Sequence, residues 1–186
     1  MKKLLVIILF VFFSSAYAES DPYSAEREAL RVVLADMAKG LDEHDFDLAT
    51  KHLDERGVIT YYNAEVTVGH EQSQEYFNRM LKESKSIVKE FRFKADVSAP
   101  AIFHGDTAIA YGVTEEYFKL AEGLEFTLNG HWSATIQKKQ QGWKIINLHF
   151  SANLFDNPIL NAATQLQWII GVAAFFVGLL FMFGVI

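Results

Sequence analysis

The stretch Gly123 to Ser151, GLEFTLNGHWSATIQKKQQGWKIINLHFS, decides the fold. Two runs of alternating apolar and polar residues flank the turn Lys139-Gln140-Gln141-Gly142, whose glycine supplies the positive φ that closes a hairpin. In the first run, Glu125 to Lys138, a period of two puts Trp132, Ala134 and Ile136 on one face and His131, Ser133 and Thr135 on the other. In the second, strict alternation groups Ile146, Leu148 and Phe150 against Trp143, Ile145, Asn147, His149 and Ser151. Neither face is fully polar, so both are expected to be covered at least in part. The pattern predicts the central hairpin of a curved antiparallel sheet.

Upstream of it the chain alternates between helical and strand signals. Ser24 to Leu41 carries an apolar stripe (Leu30, Val33, Leu34, Met37, Ala38, Leu41) at helical spacing, with Ser24 as its cap. Asp42 to Leu53 reads as a second, shorter helix capped by Asp45, ending before Gly57. Val58 to Tyr62 is a β-rich run, Asn63-Ala64 a turn and Val66 to Val68 the return strand. Gly69 then opens a third helix, His70 to Lys82. Ser86 to Val97 alternates as a strand. Ala101 to Phe103 and Thr107 to Phe118 flank the tight turn His104-Gly105-Asp106. Helices first and strands after argue for an α+β domain with three N-terminal helices on one face of the sheet.

The two ends carry membrane signals. Met1-Lys2-Lys3, the apolar Leu4 to Phe13 and the Ala-x-Ala site at Ala16 to Ala18 make up a secretory leader over residues 1–18. From Trp168 to Ile186 no residue is charged, and about 19 apolar residues suit a helix crossing a hydrocarbon core of roughly 30 Å. The expected division is leader 1–18, domain 19–153, linker 154–164 and transmembrane helix 165–186. That topology places the domain in a bacterial envelope, on the extracytoplasmic side of the inner membrane.

Composition narrows the chemistry. Without Lys2 and Lys3 the chain carries −8, from 15 basic and 23 acidic residues, a poor balance for binding nucleic acid. The absence of cysteine excludes disulfides, thiol nucleophiles and thiolate metal sites. His44, His52, His70 and His104 lack ligand spacing, so no metal and no cofactor is expected.

The element order and the ending Gly142-Trp143-Lys144-Ile145-Ile146-x-x-His149-x-Ser151 resemble the nuclear transport factor 2-like superfamily. The nearest look is to its SnoaL-like branch and to calmodulin-dependent kinase association domains. The resemblance covers roughly Ser24 to Asn153 and also rests on Gly69 entering the third helix and on the His104-Gly105-Asp106 turn. It implies a cone-shaped curved sheet with a pocket between sheet and helices, commonly dimeric through the sheet. A fold of this kind hosts isomerases, dehydratases and cyclases as well as binding domains.

Two functions follow. The isomerases of the superfamily place an Asp on the short strand after the second helix, and Val58-Ile59-Thr60-Tyr61-Tyr62 has no carboxylate. A greasy pocket formed by Tyr62, Trp132, Ile136, Leu148 and Phe150 then favours a non-catalytic domain that binds a small apolar ligand or associates with itself or a partner. The alternative is an isomerase, dehydratase or cyclase in which His149 or His131 is the base and Tyr62 or Tyr111 the hydrogen-bond donor. One of Tyr61 and Tyr62 is expected to point inward, where a buried phenol needs a partner.

Overall fold

The computed structural model describes residues 21–184. The leader read from the sequence lies outside them. The domain starts with α1 (Ser24–Asp42), which buries Leu30, Val33, Met37 and Leu41, and α2 (Phe46–Thr50). Asp45 caps α2 by accepting from the Leu48 N–H at 3.1 Å. This helix is shorter than the sequence pattern predicts, because the chain from Leu53 onward is drawn into β1 (Leu53–Thr60). Strand β2 (Val66–Val68) returns alongside it.

Gly69, at φ +72°, turns the chain into α3 (Gly69–Phe77), where a Cβ would press on the Glu55 carbonyl. A wider π turn, Asn78–Lys82, completes the helical segment. Then come β3 (Val88–Val97), β4 (Ile102–His104), β5 (Thr107–Leu120), β6 (Glu125–Lys139) and β7 (Gly142–Ala152).

The strands form one sheet in the order β2-β1-β7-β6-β5-β3, with β4 on β5. The β6–β7 hairpin therefore sits in the middle, as its alternation predicts. Every described join is antiparallel except β1 with β7, which run parallel. Helices α1 to α3 cover one face, and the core lies between: Leu41, Phe46, Ile59, Phe77, Phe93, Trp132, Ile136, Ile145, Leu148 and Phe150 are all buried.

The face assignment within β7 differs from strict alternation. Ile136 pairs with Ile145 while Thr135 pairs with Asn147, so Ile146 is an extra residue bulged out of the ladder. Past that bulge the parity flips. Trp143 and Ile145 are buried beside Leu148 and Phe150, and Ile146 is left half-exposed.

The last helix, α4 (Pro158–Met182), has no buried residue and is long and apolar enough to cross a membrane. It begins earlier than the sequence pattern places it, because Pro158 is a favoured first residue and Asn157 caps it through the Leu160 N–H at 3.0 Å.

Candidate functional site

Strand β5 alternates cleanly, and its inward positions run Ala108, Ala110, Gly112, Thr114, Glu116. The last of these is a carboxylate that is only 1 % exposed. Opposite it, the chain leaves β1 into the turn Tyr61–Glu65, closed by the Tyr61 N–H to Glu65 O bond at 3.0 Å, with Ala64 at φ +63°. The turn suspends strand alternation, so both tyrosines reach inward where one was expected. Tyr61 bonds Thr67 Oγ1 at 3.1 Å and stacks on Tyr76. Tyr62 donates its phenol proton to Glu116 Oε1 at 2.7 Å. Its oxygen also lies 2.8 Å from Thr114 Oγ1, which with that proton committed to Glu116 must be the donor.

A third strand makes room for this cluster. Gly130 of β6 pairs with Thr114, and a Cβ there would overlap the Tyr62 hydroxyl and lie 2.7 Å from Thr114 Oγ1. Glycine is required here by space, not by φ.

Around the carboxyl the walls are hydrocarbon. A cavity of about 80 Å³ is lined by Tyr61, Tyr62, Tyr76, Phe91, Phe118 and Phe150 together with Met80, Leu81 and Glu116. Burial in it pushes the Glu116 carboxyl up to about 7, against the opposing pull of the Tyr62 hydrogen bond. Burial likewise raises the phenols of Tyr61, Tyr62 and Tyr76 above their usual range, and the nearby Glu116 charge adds to the effect at Tyr62. Glu116 Oε2 is buried with no hydrogen-bond partner among the described residues, a cost of about 1–3 kcal/mol that a bound donor would relieve. The arrangement can present one carboxyl and one phenol to a single polar group on an otherwise apolar molecule.

The residues singled out in the sequence are divided by the structure. Tyr62 and Phe150 line the Glu116 cavity. Trp132 and Ile136 instead face a separate apolar trough of about 320 Å³ beneath α1 and the Val97–Ala101 segment. Leu148 lines neither and is packed in the core, 2 % exposed. His131, His149 and Tyr111 are exposed on the opposite face of the sheet, with the helices and the cavity behind it. None of the three is within the cavity, so no His–Tyr pair forms there. His52 is paired with Asp36 and His70 lies 3.0 Å from the Leu53 carbonyl. Among the described residues no three His, Cys, Asp or Glu side chains cluster as a metal site would require.

Sequence reasoning missed Glu116. It offered Tyr111 as a pocket donor, whereas the alternation of β5 leaves Tyr111 exposed and puts Glu116 on the inner face. An acidic residue in phase with Ala108, Ala110 and Thr114 was the available signal.

This helix-and-sheet arrangement, with its cavity between α3 and the concave sheet, is the nuclear transport factor 2-like fold. The chain is similar in structure to a type 2 hexachlorocyclohexane dehydrochlorinase (TM-score 0.63, 16 % identity, covering 72 % of this chain and 88 % of that one). It is also similar to a ketosteroid isomerase-like protein from Erwinia carotovora atroseptica (TM-score 0.61, 14 % identity, 69 % and 97 %). A nuclear transport factor 2-like superfamily protein from Salmonella enterica serovar Typhimurium aligns at TM-score 0.59 with 16 % identity, over 69 % and 92 %. No family model and no curated protein matches the sequence.

Proposed function

We propose that the chain is a membrane-tethered nuclear transport factor 2-like domain that binds a small apolar molecule carrying one polar group. The single observation behind this reading is the Glu116 carboxyl, buried in an aromatic cavity with one oxygen bonded to Tyr62 and the other without a partner among the described residues. A hydroxyl or other donor on the ligand would complete that carboxyl, and the rings would cover the rest. The cavity suits one ring or the end of a chain rather than a large polycyclic body. The tether is α4, and with the leader-like N-terminus it favours the extracytoplasmic side of a bacterial inner membrane.

Phenol and p-cresol are suitable probes. Titrated into the detergent-solubilised chain, they are expected to bind, and Glu116→Leu together with Tyr62→Phe should abolish the binding. Equal binding by wild type and both variants would refute the site.

One observation favours a second reading, an acid–base enzyme. A carboxyl held near 7 is matched to proton transfer at neutral pH, and the similar structures include a dehydrochlorinase and a ketosteroid isomerase-like protein. Here Glu116, with Tyr62 as donor, takes the part first assigned to the histidines. Deuterium exchange into 2-cyclohexenone, followed by NMR in D₂O, separates the two. Exchange that is lost in Glu116→Gln supports catalysis, and binding without exchange supports the binding domain.

A further inference from the structure

The Glu116 cavity and the start of α4 lie at the same end of the sheet. β7 leaves the sheet at Ala152, opposite Gly130, and α4 touches β6. Past Gly130 the β5–β6 hairpin runs on without β7, with Phe118 paired to Phe126 and Lys119 to Glu125, while β3 stays paired to β5 as far as Val88 and Leu120. The segment before β3 joins it there, since the Ala121 N–H donates to Ile87 O at 2.8 Å. The half-buried Met80, Leu81 and Phe118 wall the cavity on this side.

Four apolar side chains at that end meet water, among charged neighbours that include Glu90, Glu122 and the Lys119–Glu125 pair. Ile87 is 58 % exposed, Leu124 40 %, Leu154 76 % and Phe155 86 %. Exposed Lys85 and Lys89 flank Ile87. One such residue needs no explanation, but Ile87 and Leu124 on adjoining loops, with Leu154 and Phe155 before α4 at the same end of the sheet, mark a side of the domain that a partner surface should cover.

The C-terminal helix identifies that surface as a bilayer. Asp156 is the last charged residue of the chain. The 25 residues of α4 make a helix about 37 Å long, more than a hydrocarbon core of roughly 30 Å and close to the roughly 40–45 Å that includes the headgroups. Pro158 then stands in the headgroup layer, with Phe155 and Leu154 just before it. The joint Asn153–Asn157 cannot lift the domain far. It is folded on itself, with Asn153 Oδ1 accepting from the Phe155 N–H and Asn157 Nδ2 donating to the carbonyls of Asn153 and Leu154.

Building on the tether and cavity proposed above, we infer that the rim formed by Ile87, Leu124, Leu154 and Phe155 rests in the headgroup layer of the bilayer that holds α4. The cavity then opens toward lipid and draws its apolar ligand from the membrane. Lys85 and Lys89 meet anionic headgroups, while the two apolar loop tips sink between them.

The absence of native cysteine makes the test direct. Single variants Ile87→Cys, Leu124→Cys, Gln140→Cys and Phe176→Cys of the full chain carry an environment-sensitive fluorophore. Each is reconstituted in phosphatidylcholine–phosphatidylglycerol vesicles containing nitroxide lipids. The inference expects labels at 87, 124 and 176 to lose most of their fluorescence and the label at 140, on the turn at the far end of β6, to keep it. Quenching at 176 alone overturns the membrane-facing rim and leaves the tether standing. No quenching at 176 overturns the tether and the inference with it.

Discussion

At Glu116 a carboxyl has exchanged water for aromatic rings and one phenol hydrogen bond, and the cost is legible as a pH dependence. Its folded value of about 7 lies above its ordinary 4.5, so the folded protein holds this proton more tightly than the unfolded chain. The sign follows: the stabilisation is complete below about pH 4.5 and is lost as pH rises through 7. A displacement of this size corresponds to about 3 kcal/mol. Glu116→Gln removes the titration. Unfolding midpoints should fall for wild type from acid to about pH 8, stay flat for the variant through this window, and leave the variant the more stable at the alkaline end by ~1–3 kcal/mol. Equal slopes for the two proteins would show that Glu116 is solvated after all. Thr114 and Tyr62 belong to the same unit, so their substitution should shift the midpoint of this titration as well as stability.

Among the elements, the α1–α2 corner shows how contact overrides propensity. Gly40 sits in the last turn of α1, where glycine is normally a weakness worth about 1 kcal/mol against alanine. Here a Cβ would lie 2.7 Å from both the Ala49 Cα and the Asp45 carbonyl oxygen, because α2 crosses directly over it. Gly40→Ala is therefore expected to destabilise by about 1–3 kcal/mol, the reverse of the propensity effect, with thermal unfolding followed by circular dichroism as the measurement.

The same corner marks what could be read in advance. The Asp45 cap, the α1 stripe, the Gly69 entry and the β6–β7 hairpin were legible because each is a local signal of period, cap or turn. The bulge at Ile146 was not. Nothing in Trp143-Lys144-Ile145-Ile146 tells which isoleucine leaves the ladder, and only pairing with Ile136 and Thr135 decides it. For the site, Tyr62 and Phe150 were legible as inward-facing aromatics. Their partner Glu116 required trusting strand parity through an acidic residue.

For the whole molecule, the decisive division is between a domain with its own core and a helix that buries nothing in it. Detergent, and not high salt, is expected to release the chain from membranes, since screening weakens only electrostatic attachment. Truncation before Pro158 should leave a folded, water-soluble domain with unchanged near-ultraviolet circular dichroism. Release by salt alone would remove the spanning helix from the account, and loss of the near-ultraviolet signal on truncation would show that α4 stabilises the core.

The parallel join of β1 to β7 is expected to be the last part of the sheet to form. Antiparallel neighbours such as β5, β6 and β7 can zip from their turns, but Ile59 meets Leu148 only after nearly ninety intervening residues have been placed. Tyr62 follows β1 and Glu116 belongs to β5, so their hydrogen bond closes only when that late join has formed. Until then the Glu116 carboxyl is expected to stay hydrated and the hollow between sheet and helices open to water, so desolvation of the acid belongs to the last stage of assembly.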